Sequence, residues 1–201
     1  MVKGSRVLIK LIIRSIFTIA FSILLFDCAG NSYKKMSIES PEKLLSIQDS
    51  LILAHGDDEG ILSALAVANN NVAKKYMKQG DYNFAVDHFS TALRLNETNM
   101  ESKYGLFLAE GRVLVKRGNK NGIWDAIEKY SKASYLFPSS GEPFYLTALA
   151  YTKLGDTDFD LILESYEKSI SLELDERLRD EVVKKYENAK KRKTKLDSFW
   201  K

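Results

Sequence analysis

The chain has 201 residues, with 45% hydrophobic and 28% charged residues. It is too apolar for a disordered chain and too charged for a multi-span membrane protein. One cysteine, Cys28, excludes an internal disulfide, and two histidines leave little for a Cys/His zinc site. The net charge of +3 is uneven. Residues 1–27 carry four basic groups against Asp27 alone, which leaves 26 basic and 26 acidic groups in the rest. A nucleic-acid-binding body would keep a basic excess, so no nucleic-acid partner is expected.

Residues 1–27 read as an export signal. A basic stretch to Arg14 precedes the apolar run Ser15 to Phe26. Twelve residues cover about 18 Å, short of the roughly 30 Å hydrocarbon core. The pattern is that of a cleavable signal, with a retained anchor as the alternative. Leu24-Leu25-Phe26-Asp27-Cys28 resembles a bacterial lipobox, with a leucine three residues before the cysteine. Asp27 takes the place of the usual small residue. The resemblance implies lipidation of Cys28 and a mature chain starting there. Ordinary cleavage after Gly30 is the rival reading. Two acyl chains suffice for stable anchoring.

Residues 28–40 are expected to be a polar tether. Residues 41–65 form an expected N-terminal helical extension. Ser40 is its expected cap and Pro41 suits the first turn. The extension breaks at His55-Gly56-Asp57-Asp58-Glu59-Gly60, a turn with a carboxylate cap rather than a metal site.

From Ala66 a pattern recurs. The first copy, 66–99, has Gly80 at its turn and Ala85, Phe89 and Ala92 on its second helix. The second, 104–138, follows a short spacer, with Gly118, then Ala126, Tyr130 and Ala133, and three extra residues within Asn119 to Trp124. The third, 141–174, has Gly155, then Ile162, Tyr166 and Ser169. Small–aromatic–small spacing over a helix–turn–helix of 34 residues resembles the tetratricopeptide repeat. The resemblance implies an all-α, right-handed superhelical solenoid of about three repeats. Residues 175–201 are its expected capping helix and basic tail, with an apolar stripe of Leu178, Val182, Val183 and Tyr186. The basic residues from Lys184 to Lys195 are expected to be a solvated helix end, with Phe199 and Trp200 folded back on the stack; contact with an anionic membrane surface is the alternative. Trp124 is expected to pack.

In that family, first helices line a concave groove. Carried over by register, the groove positions are Val67, Asn70, Lys74 and Met77, then Gly105, Leu108, Arg112 and Val115, then Glu142, Tyr145, Leu149 and Thr152. Asn70, Lys74, Met77, Leu108, Arg112, Val115, Tyr145, Leu149 and Thr152 are the candidate contacts for a peptide or partner helix. Lys74 and Arg112 suit a carboxylate, and Tyr145 an aromatic anchor. No catalytic, metal or cofactor motif appears. The expectation is a non-enzymatic scaffold of the bacterial cell envelope, anchored through Cys28, on the periplasmic face of the outer membrane. Its expected partner is an envelope protein or peptide, with homo-oligomers possible. The alternative is an oligomeric accessory subunit of periplasmic solute uptake.

Overall fold

The computed structural model describes residues 32–155 and 159–199. Cys28, the leader and Trp200 lie outside the described residues. Among the described residues, helices account for all regular structure apart from one isolated bridge between Ser140 and Glu173. No described helix is long and apolar enough to cross a membrane. The chain divides into two compact units at Asn71 and Val72.

The first unit contains α1 (residues 32–39), α2 (Pro41–Leu45), α3 (Gln48–His55) and the opening of α4 (Glu59–Gln79). The expected tether is therefore helical over much of its length. Ser37 is fully buried there, and its hydroxyl donates to the Lys34 carbonyl at 2.7 Å. The Asn71 amide donates to the Ser37 carbonyl at 3.0 Å, a contact between residues 34 positions apart that local composition does not announce. Ser40 makes no side-chain cap, although Pro41 does open α2. The break after α3 behaves as expected. Asp58 Oδ1 accepts from the Gly60 and Ile61 amides at 2.8 and 3.1 Å, satisfying two free donors of α4.

The second unit holds the end of α4, then α5 (Tyr82–Leu95), α6 (Met100–Arg117), α7 (Lys120–Leu136), α8 (Glu142–Leu154), α9 (Phe159–Ile170) and α10 (Glu176–Phe199). Each helix from α5 to α10 packs against the next in chain order. The fold is the all-α helix–turn–helix stack of a tetratricopeptide solenoid, closed by a final helix. Gly80, Gly118 and Gly155 hold the turns at positive φ of 83°, 77° and 114°, where a Cβ would be strained.

The recurring stripe is the packing seam. Ala85, Phe89 and Ala92, then Ala126, Tyr130 and Ala133, then Ile162, Tyr166 and Ser169 are all buried. The i, i+4, i+7 spacing puts each trio on one helix face. The rings of Phe89 and Tyr130 approach α6 at Gly105 and Gly111. A Cβ built at either glycine would fall inside 3.0 Å of ring carbons.

Local signals shift two boundaries. Asn99 caps α6, accepting from the Ser102 amide at 3.0 Å, so the expected spacer before residue 104 is the first turn of a helix. Asn119 caps α7 in the same way through the Gly122 amide at 2.6 Å. The three extra residues thus lengthen a helix: α7 has 17 residues where α5 has 14. Asp175 caps α10 by accepting from the Leu178 amide at 2.9 Å. The buried stripe of α10 uses Val182 with Leu178, Tyr186, Ala189 and Leu196, whereas Val183 is turned out and 41% exposed.

Candidate binding groove

Within the second unit, a groove of about 1140 Å³ opens between the helices. One wall is the end of α4 and its turn, with Lys74, Met77, Lys78 and Tyr82. The floor is α6, with Glu101, Tyr104, Leu108 and Arg112. The far wall combines Phe137, Ser139, Ser140 and Glu142 with Glu173, Asp175, Arg177, Leu178 and Glu181 at and before the start of α10.

Of the nine residues chosen from the repeat register, Lys74, Met77, Leu108 and Arg112 line this groove. Lys74 reaches Glu101 at 2.7 Å, a pair too exposed to add much stability. Leu108 is almost wholly buried and forms part of the floor. The other five sit elsewhere. Asn70 belongs to the first unit and is buried. Val115 and Leu149 pack against the core, half-buried. Thr152 turns its hydroxyl back to the Ala148 carbonyl at 2.8 Å. Tyr145 is only 2% exposed, because α10 lies over it; its hydroxyl donates to Glu181 at 2.5 Å. It is a packing residue, not an accessible anchor. At Tyr145 the third repeat's share of the expected groove is filled by the chain's own final helix, while Glu142 still lines the open part.

Arg112 is the centre of the open part. Its guanidinium donates to the Tyr82 hydroxyl at 3.3 Å, lies 5.4 Å from that ring's centroid, and stands 3.9 Å from Glu142. Its Nε is buried and donates to no described group. A planar fork with donors left over is suited to a carboxylate or a backbone carbonyl. Beside it, Tyr104 shares a hydrogen bond of 2.9 Å with Ser140 and meets Phe137 edge-on at 5.0 Å. Burial, with help from the Glu142 charge, pushes the Tyr104 phenol well above its ordinary range, so it stays neutral and able to hydrogen-bond.

Glu142 is the second polar anchor. Burial raises its pKa above the ordinary 4.5; Arg112 opposes the shift and Asp175 reinforces it. The folded chain then holds this proton more tightly than the unfolded chain does. Its contribution to stability is full below pH 4.5 and is lost as pH rises through the folded value. Glu142→Gln should remove that slope. Urea unfolding from about pH 4 to pH 8 should show the variant gaining on the parent as pH rises. Parallel pH profiles would contradict the assignment.

The remaining sequence candidates resolve simply. Trp124 is 43% exposed and meets Tyr151 edge-on at 5.9 Å, so it packs on one side only. His88 stacks on Tyr76 at 5.5 Å, and burial lowers its pKa. Phe199 is 80% exposed rather than buried against the stack. Among the described residues, no group of three or more His, Cys, Asp or Glu is placed to hold a metal. Sequence reasoning missed Tyr104, Ser140 and the residues about the start of α10. No local pattern announced them: Ser139 Oγ donates to Glu173 at 3.2 Å across 34 positions, a contact between distant segments.

No protein-family model matches the chain, and no curated protein matches it. Among solved structures, it is similar to MamA (residues 41 to the end) of Desulfovibrio magneticus RS-1. That match has 22% identity, spans 84% of this chain and 93% of that one, and has a TM-score of 0.47. It is also similar to a thermophilic TPR protein of Thermus thermophilus, at 15% identity over 87% of this chain and 95% of that one, with a TM-score of 0.42.

Proposed function

We propose that this chain is a non-enzymatic interaction scaffold whose groove holds an extended peptide or a short partner helix. The observation that carries the reading is Arg112. It sits in a groove of about 1140 Å³, with its side chain 27% exposed and Glu142 3.9 Å from its terminal nitrogen, so that the outer N–H groups of the fork can reach a bound segment. Around it lie apolar side chains (Met77 on one wall, Leu108 on the floor) and a neutral phenol (Tyr104). Apolar surface with a few convergent polar groups is what a bound segment needs. The same reading places the protein at the bacterial cell envelope, tethered through acylated Cys28. The intact mass of the native N-terminal peptide tests that tether, and an unmodified start at Asn31 would remove it.

The groove is tested by crosslinking tagged full-length protein in cells. A single envelope protein should be captured by the parent and lost from Arg112→Glu. A Tyr135→Ala control, altering a residue 85% exposed and away from the groove, should keep it. Losing one charge-assisted pair and introducing repulsion predicts a fall in affinity of tenfold or more, since such bonds contribute about 1.5–3 kcal/mol. Self-crosslinks alone, unchanged in the variant, would favour the oligomeric solute-uptake reading instead.

A further inference from the structure

The outer face of α10 is the strongest charged feature that the groove does not use. Residues 184–195 contain seven basic residues and one acid, Glu187. Four of the seven are engaged: Lys185 approaches Glu181 at 3.9 Å, Lys190 approaches Glu187 at 3.6 Å, Lys193 pairs with Asp160, and Arg192 lies over Phe159 at 5.6 Å. Lys184, Lys191 and Lys195 are exposed and pair with no acid of the described residues.

Those three are not scattered. At about 100° per residue they fall within about 40° of one another around the helix. The buried stripe through Leu178, Val182, Tyr186 and Ala189 is centred about 150° away. Packing thus turns the lysine stripe directly outward. The stripe ends at Phe199, 80% exposed, so a row of cations leads to an apolar ring over about 22 Å of helix. The order of chemistry matches an anionic bilayer surface: ammonium groups at phosphate level, and a ring for the acyl boundary. Nucleic acid is the weaker match. The stripe carries lysine point charges without a guanidinium fork, and the chain outside the leader is neutral overall.

We propose that this face of α10 docks on anionic phospholipid headgroups, as a second membrane contact independent of the groove and of Cys28. One chain or one basic patch gives weak, reversible adsorption, and two signals together give stable attachment. The contact would lay α10 along the bilayer surface.

The test uses full-length protein with a single indole at the end of the stripe (Trp124→Phe, Trp200→Phe, Phe199→Trp). It is mixed with phosphatidylglycerol/phosphatidylcholine vesicles whose acyl chains carry bromine. Quenching then reports α10 itself, even if the leader also binds. Expected are quenching on anionic vesicles at low salt, loss at high salt, and little on pure phosphatidylcholine. Lys184→Gln, Lys191→Gln and Lys195→Gln together should weaken the quenching-derived affinity about a hundredfold. Circular dichroism should show unchanged helix, because these side chains are exposed. The proposal fails if the indole is not quenched, if neutral vesicles quench it equally, or if the triple variant behaves like its parent. It also fails if duplex RNA displaces the anionic vesicles from α10.

Discussion

Tyr130→Ala should lower the free energy of unfolding by about 3–5 kcal/mol, read as a shift of the urea midpoint at unchanged slope. The ring is 2% exposed and lies between Ala126 and Ala133, both fully buried. It fills the close approach of α7 to α6 at Gly111, where no Cβ has room. Truncation leaves a void that the flanking alanines cannot close. Trp124→Ala, at a residue 43% exposed on the same helix, should cost clearly less. The partner residue gives a sharper check. Gly111→Ala should destabilise by about 1–3 kcal/mol through overpacking, partly offset by roughly 1 kcal/mol of helix propensity. In the double variant the new methyl enters the vacated space. Its loss should therefore be smaller than the two single losses added together. Additive losses would mean that ring and glycine are not in contact.

Gly141→Ala is expected to cost about 3 kcal/mol, for a different reason. The backbone at Gly141 is ordinary, with φ −79° and ψ −17°, so conformation alone would admit alanine. The space would not. A Cβ there falls inside 3.0 Å of the Ser169 carbonyl oxygen and next to the Leu174 side chain. Those neighbours cannot retreat, because the two loops are tied together. The Gly141 amide donates to the Glu173 carbonyl and the Glu173 amide to the Ser139 carbonyl, both at 2.8 Å. Ser169 Oγ donates to the Gly141 carbonyl at 2.8 Å. Arg179 reinforces the second loop by donating to the Ile170 and Leu172 carbonyls, each at 2.9 Å. Hydrogen exchange should show the Gly141 and Glu173 amides losing protection together. Retained protection in the variant would show that the junction absorbs the methyl without opening, contrary to this account. The same junction carries Ser140, Glu142, Glu173 and Asp175 into the groove, so loosening it should also weaken binding there.

The groove shows why a repeat register is an incomplete guide to a site. Lys74, Met77, Leu108 and Arg112 were legible because register places them on first helices whose inner face remains open. Tyr145 has equivalent register, yet it is closed off by Glu181, which lies 36 residues further on. Register describes one helix at a time, and a final helix filling the last repeat's groove is a contact between distant segments. Helix 32–39 makes the same point. Its polar residues suggested a tether, but Ser37 is buried and its carbonyl is held by Asn71. The α10 lysines read as a solvated helix end; the burial of Val182 and the exposure of Val183 fixed where the apolar stripe runs and so which lysines point outward.

By itself, the sequence determined the number and type of the repeat elements, their turns at Gly80, Gly118 and Gly155, and the rings that join them. These are local properties: positive φ demands glycine, and a 3.6-residue period puts alanine and aromatic residues on one seam. Only the tertiary structure decided how far the groove stays open and which cation lines its open part. It also decided which stripe of α10 faces solvent. Those depend on side chains more than thirty positions apart meeting or failing to meet, and no spacing within one helix encodes that.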